Sequence, residues 1–171
     1  TGKTLNIDNP KLNCRLEGFN QFSPKRIILD RNLQIDMKSY IAKSIKNKNT
    51  IIFHNSNDKS KIKLLKRRGA ILIKQSTDKY KNLDLKKILK DLYKMEIRNL
   101  LVEGGDILTK NFLQKKLFNE FYMFRSSKNL SKNKKHVNFT SFSILNTKYN
   151  KHKINSKLAT DKLTIYKNWN V

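Results

Sequence analysis

Two short segments hold residue types at spacings that suit the binding of an anionic ligand. The first is Leu100-Leu101-Val102-Glu103-Gly104-Gly105-Asp106-Ile107-Leu108. An apolar run ends in a carboxylate, and two glycines then turn the chain into the start of a helix. Glycine permits tight backbone conformations and the close approach of a ligand. The unpaired N–H groups at a helix start, together with the helix dipole, favour phosphate. Ligands of open α/β sheets bind at the carboxyl ends of strands, where this turn falls. The same residues also read as a plain tight turn with Asp106 as a helix cap. Neither GxGxxG nor GxxxxGK[ST] accompanies them. The second segment is Thr4-Leu5-Asn6-Ile7-Asp8-Asn9-Pro10-Lys11-Leu12-Asn13-Cys14-Arg15. Asp8-Asn9-Pro10 reads as a turn, because the proline ring restricts itself and the residue before it. A loop-borne carboxylate followed by a fixed guanidinium could grip a phosphorylated ligand, since Arg matches phosphate bidentately. Taken singly, Asp8 also reads as a local cap and Arg15 as a solvated side chain.

The elements that must position these segments follow from hydrophobic period. Arg26-Ile27-Ile28-Leu29-Asp30, Thr50-Ile51-Ile52-Phe53-His54 and Ala70-Ile71-Leu72-Ile73 are short β-branched runs, predicted as strands buried on both faces. A helix is predicted between Asn57 and Arg68, with Gly69 just past its end. Leu85, Ile88, Leu89 and Leu92 form an amphipathic stripe opposite lysines. Leu100-Leu101-Val102-Glu103 is predicted as a fourth strand, followed by a helix through Leu108, Phe112 and Leu113. Phe121 to Phe124 is predicted as a fifth strand. In the final third, Phe142–Leu145 and Leu163–Tyr166 are predicted as strands joined by a polar connection. Strand–helix alternation of this kind implies a three-layer α/β domain: a mostly parallel sheet flanked by helices, with an antiparallel C-terminal edge.

Lys and Arg number 38 against 13 Asp and Glu, a net charge of +25 over 171 residues. Such charge suits nucleic acid or an acidic membrane, and Lys66-Arg67-Arg68 and the run 132–136 are local basic clusters. Composition offers another source. Lys, Asn and Ile are abundant while Gly numbers 5 and Pro 2, the signature of A/T-rich codons. On that reading each cluster is a solvated loop or helix end, and no stacking aromatics interleave with it. No apolar run approaches the ~20 residues of a membrane span, nor does a secretory signal pattern open the chain. A cytoplasmic protein is the expectation. Cys14 is the only cysteine, which excludes an internal disulfide and a cysteine-based zinc site. His54, His136 and His152 lie far apart, so no metal site is expected. Cys14 and Trp169 read as packing residues, and His54 as a strand terminator.

In combination, Asp8-Asn9-Pro10, Leu12 and Arg15, then Arg26-Ile27-Ile28-Leu29-Asp30, then Leu101-Val102-Glu103-Gly104-Gly105 with Leu108, Phe112-Leu113, Leu117 and Asn119-Glu120-Phe121, resemble a known family. It is the reductase half of the bifunctional riboflavin-biosynthesis deaminase/reductase. The resemblance implies a dihydrofolate-reductase-like fold and NADPH-dependent reduction of 5-amino-6-(5-phosphoribosylamino)uracil, the ribosyl group becoming ribityl by hydride delivery to the sugar C1. It implies that Thr4, Asp8, Gly105, Asp106, Ile107, Leu108 and Thr109 contact the cofactor. It implies that Leu12, Arg15 and Glu103 contact the substrate. The cofactor carries such chemistry, and no residue is assigned as the proton donor. The implied partner is an anionic small molecule; a homodimer is compatible, and neither a membrane nor nucleic acid is implied.

Departures from the family pattern set further expectations. The family opens with an earlier strand and a Ser-Leu-Asp-Gly-like loop, and its deaminase half carries His-Ala-Glu and Pro-Cys-x-x-Cys; none of these occurs here. The expectation is a single reductase domain over 1–171 that lacks its first strands, has no deaminase domain and is a poor enzyme alone. Lys116 replaces a helix-ending glycine, which predicts a left-handed conformation for it. Competing expectations are another dihydrofolate-reductase-like NADPH reductase, and a basic nucleic-acid-binding module or inactive fragment.

Overall fold

A parallel sheet buries its strands on both faces, so its central strand must be apolar at every position. Ile51-Ile52-Phe53 in the middle of Thr50–His54 meet that demand, and the whole strand is buried, its polar ends Thr50 and His54 each hydrogen-bonded. A computed structural model describes residues 2–127, 139–154 and 161–168; the run 132–136 and Trp169 lie outside them. The chain divides into two compact units, 1–103 and 104–171.

The first unit contains, in order, α1 (Gly2–Asp8), a 3-10 turn (Asn20–Phe22), β1 (Arg26–Leu29), α2 (Tyr40–Lys43), β2 (Thr50–His54), α3 (Lys59–Arg67), β3 (Ile71–Lys74) and α4 (Leu85–Lys94). The three strands are parallel in the order β1-β2-β3, with Ile28 opposite Ile52 and Ile52 opposite Leu72. Leu5, Ile28, Ile35, Ile41, Ile52 and Leu65 belong to its buried core. Local signals set the helices. Asp58 accepts the Lys61 N–H (2.9 Å) to start α3, and Asp84 accepts the N–H groups of Lys86 and Lys87 to start α4. One of the chain's many cations is structural. The buried Arg26 guanidinium donates to Thr50 Oγ1, Ser44 Oγ, the Ser44 carbonyl and Asn49 Oδ1, clamping the start of β1 to that of β2.

The second unit contains α5 (Asp106–Gln114), β4 (Glu120–Arg125), α6 (Phe142–Lys148), β5 (Asn150–Ile154) and β6 (Lys162–Lys167). Its strands form an antiparallel sheet of their own, in the order β4-β6-β5. Leu113, Leu145 and Tyr166 are its buried centre, with Phe118, Phe121 and Met123 packed against them. The α/β class with parallel strands, helices and a C-terminal antiparallel part is therefore the observed one.

Three helix ends follow one pattern. After α3, the Ala70 N–H reaches the Leu65 carbonyl (3.1 Å) around Gly69 at φ +96°. After α4 and α5 the equivalent bonds are Ile97 to Leu92 and Leu117 to Phe112 (both 3.0 Å), around Glu96 and Lys116 at φ 61° and 54°. These are Schellman closures, which favour glycine at the left-handed position. Lys116 adopts the conformation that its sequence context predicts.

Four expectations are corrected. Residues 100–103 form no strand: among the described residues no neighbour takes their backbone, and Leu101 is 81% exposed. A strand exists only where a partner satisfies its N–H and C=O groups. Phe142–Leu145 is helical, because Phe142 and Leu145 also fit a helical period and Ser141 is anchored to a carboxylate far away in sequence. The polar connection contains β5, an edge strand where exposed Lys151 and His152 discourage further pairing. Asp8 is the last residue of a helix rather than part of a loop.

Candidate functional site

Each unit contributes one candidate segment. In the first unit, α1 begins against the carboxyl end of β1. A Cβ on Gly2 would lie 2.5 Å from Asp30 Oδ1, so only glycine allows this approach. Asp30 is buried, and its Oδ2 accepts the Ile35 N–H (2.7 Å). Two asparagines then tie the segment to residues 34–40. Asn6 donates to the Gln34 carbonyl (2.8 Å) and accepts the Asp36 N–H (2.9 Å), while Asn9 accepts the Tyr40 N–H (2.7 Å). The chain leaves α1 through Asn9 at φ 42° and Pro10, which cannot continue the helix. Leu12, half-buried against the core, holds φ 48°, a conformation that costs a branched residue about 1–3 kcal/mol. The Cys14 N–H donates to Ser23 Oγ (3.2 Å).

This scaffold leaves Asp8 and Arg15 exposed, with no hydrogen bond or ion pair among the described residues. Asp8 lies at a helix C-terminus, where the dipole disfavours a carboxylate. Thr4 belongs to α1. Glu103, at the end of the unit, is exposed, with no ion pair or side-chain hydrogen bond among the described residues. His54 ends β2 as expected. It is buried, its Nδ1 accepts the Ser56 N–H (3.2 Å), and burial followed by nearby Lys74 and Lys66 pushes its pKa down.

In the second unit, Gly105 is the N-cap of α5, at φ −71° and ψ 174°, with open space where a Cβ would be. A Cβ on Gly104 would meet Leu108 Cδ2 at 2.8 Å, so this glycine allows the Leu108 side chain to close over the turn. The first helical bonds run from Leu108 and Thr109 to the Gly105 carbonyl (3.1 and 3.2 Å). The N–H groups of Asp106 and Ile107 therefore precede the helical ladder. Asp106 does not cap α5. Its Oδ1 accepts the Thr140 N–H (3.0 Å), the Ser141 N–H (3.3 Å) and the Ser141 hydroxyl (3.0 Å), and its Oδ2 accepts the Thr140 hydroxyl. These bonds, the Thr140 hydroxyl foremost, hold its pKa below the ordinary carboxylate value. Ile107 is exposed, and Leu108 and Thr109 are half-buried.

The tethers Asn6, Asn9 and Ser23 and the latch at Thr140 and Ser141 were not marked by sequence reasoning, because each acts on a partner remote in sequence. Only asparagine's general aptitude for capping pointed toward Asn9. Among the described residues, no three of His, Cys, Asp and Glu lie together as a metal-binding group, and no helix is long and apolar enough to cross a membrane.

The model of the RibD C-terminal domain family matches residues 1–156. The riboflavin biosynthesis protein RibD of Actinobacillus pleuropneumoniae is 30% identical over 126 residues, covering 73% of this chain and 32% of its own length. Its namesake from Aquifex aeolicus is 30% identical over 125 residues, covering 73% and 33%. The chain thus spans about a third of the length of these curated relatives. Among solved structures, Acinetobacter baumannii RibD superposes with a TM-score of 0.71 at 20% identity, over 96% of this chain and 44% of that one. A pyrimidine reductase-like protein from Corynebacterium diphtheriae gives 0.66 at 14% identity, over 96% and 72%. At such identities the structural likeness establishes the shared fold.

Proposed function

From the premise that this chain belongs to the RibD C-terminal domain family, we propose that it serves the NADPH-dependent reduction of 5-amino-6-(5-phosphoribosylamino)uracil to its ribityl product in riboflavin biosynthesis. The observation that carries this reading is the segment 2–15. Its backbone is tethered by neutral side chains while its carboxylate and guanidinium have no partner among the described residues. Arg15 suits the sugar phosphate, which it meets with a planar pair of donors. Leu12, held against the core, sets the depth of the ligand beside it. Glu103 accepts hydrogen bonds from ligand donors. Asp8 and Thr4 offer acceptors to the hydroxyl or amide groups of the cofactor.

The second segment fits a nicotinamide dinucleotide by its donors. Unpaired N–H groups at the start of α5 and the open face of Gly105 make room for a phosphate without a side chain in the way. Gly105, Asp106, Ile107, Leu108 and Thr109 would hold the cofactor there, Asp106 through its backbone because its carboxylate is occupied. When bound, the cofactor supplies the hydride that reduces the sugar C1. The protein supplies position and electrostatics. The +25 net charge adds a field that speeds the arrival of two anionic ligands.

The test is NADPH oxidation by the purified full-length protein that carries this chain, offered the phosphoribosylaminouracil and, separately, dihydrofolate. Oxidation with the first alone supports the reading. Oxidation with dihydrofolate alone assigns another reductase activity, and oxidation with neither defeats the proposal.

A further inference from the structure

We infer that Asn9 is a pivot, a positioning residue that aims Asp8 and the run 12–15 at their ligands while touching neither ligand itself. The ligands are those of the reductase reading, on which this inference rests; the pivot rests on the bonds and torsion of Asn9.

Helical period sets what α1 shows to each side. Residues advance by about 100° each, so Leu5, Asn6 and Asn9 share one face while Ile7 and Asp8 lie on the other. The first face is the docked one. Leu5 is buried in the core of the first unit. Asn6 bonds twice, to the Gln34 carbonyl and the Asp36 N–H, and Asn9 accepts the Tyr40 N–H (2.7 Å). Ile7 and Asp8 face away and are exposed, Ile7 at 69%. An apolar contact such as that of Leu5 has no direction, and by itself lets a short helix roll about its axis. The directed hydrogen bonds of Asn6 and Asn9 fix that roll, and with it the bearing of Asp8.

Asn9 does more than Asn6. Its N–H closes the last turn of α1 on the Leu5 carbonyl (3.1 Å), while its φ of 42° ends the helix and sends the chain toward Pro10. Asparagine is among the few residue types other than glycine that tolerate this torsion. Its side chain also meets a need of α2. Tyr40 is the first residue of α2, so its N–H has no partner within that helix. The hydroxyl of the N-cap Ser39 accepts the Ala42 N–H (3.3 Å), and Asn9 supplies the acceptor that Tyr40 requires. One side chain thus joins the end of α1, the start of α2 and the departure of the run that carries Arg15. Asp8 precedes it in the chain, and Leu12 and Arg15 follow.

The experiment is steady-state kinetics of the full-length protein that carries this chain, with NADPH and the phosphoribosylaminouracil varied in turn, alongside amide exchange of the unliganded protein. Asn9→Gly keeps the torsion and loses the bond. It should raise KM for both ligands about ten-fold, leave kcat within about two-fold, and speed exchange at the Tyr40 N–H. Asn9→Asp keeps torsion and acceptor, and should hold both KM values within about two-fold of the wild type. Asn6→Ala frees only the α1 side. It should raise KM for NADPH while that for the uracil substrate changes less than about two-fold. Unchanged KM in Asn9→Gly, a fall in thermal midpoint alone, an Asn9→Asp variant as impaired as Asn9→Gly, or equal effects of Asn6→Ala on both ligands overturns the pivot. A wild type that oxidises no NADPH defeats the reductase reading instead, and exchange then decides the pivot. A Tyr40 N–H that exchanges no faster in Asn9→Gly than in the wild type overturns it.

Discussion

In the segment 2–15, neutral side chains hold the backbone. Asn6 and Asn9 make the tethers, and the charges of Asp8 and Arg15 have no side-chain partner among the described residues. In the turn 105–109 the arrangement is reversed. The charge of Asp106 makes the tether, and neutral backbone N–H groups are left exposed. Both segments combine an aspartate with turn-forming residues, and in sequence they look alike. The difference teaches that a carboxylate near a turn stays open or becomes a structural bolt according to what lies across from it, which spacing alone does not encode.

Substitutions that remove each charge should separate the two cases. Arg15→Ala removes a free group. Charge-assisted hydrogen bonds contribute about 1.5–3 kcal/mol each, so kcat/KM for the phosphorylated substrate should fall about 100-fold while the thermal midpoint holds; a comparable loss of stability would erase the contrast. Asp106→Ala removes a committed group and leaves Ser141, which is buried, without its acceptor. Urea unfolding should show a loss of about 2 kcal/mol. The same variant should flatten the acid limb of stability. The Asp106 pKa is lower folded than unfolded, so its contribution is present above the ordinary carboxylate range and is lost as pH falls through it.

A smaller effect tests strain lying apart from both charges. Lys116→Gly should raise stability by about 1 kcal/mol in the same urea titration, with KM unaltered. The smallest concerns His54, a titratable group committed in its neutral form. Its folded pKa lies below the ordinary 6.5, so the unfolded chain binds the extra proton and stability declines as pH falls below that value. His54→Asn, followed by thermal melts across that range, should show a shallower decline than the wild type.

Most of the first unit was legible because its signals are local. Ile51, Ile52 and Phe53 announce a strand covered on both faces, and Asp58 and Asp84 sit directly before the helices they cap. The left-handed Lys116 was legible for the same reason. Where the sequence misled, the deciding partner was remote. Leu100, Leu101 and Val102 carry every mark of a strand and lack only a neighbour, which no local pattern can supply. Phe142 to Leu145 satisfies two periods, and Asp106, 35 residues before Ser141, settles which one holds. The short helices α1 and α2 depend on asparagine bonds spanning about thirty residues. In the candidate site, residue types pointed to Asp8, Arg15 and the Gly105 turn, but the tethers made by Asn6 and Asn9 became visible only as geometry.

The three helix closures also bear on how this sequence can drift. The same torsion is filled by Gly69 after α3 but by Glu96 after α4 and Lys116 after α5. In the codon table glutamate stands a single transition from glycine, and an A/T-rich lysine codon stands two away. Replication bias that disfavours G and C would keep both positions on the uphill side of that short path. Glu96→Gly, a single transition away, would then relieve a left-handed torsion that a side chain fills at a cost of about 1 kcal/mol.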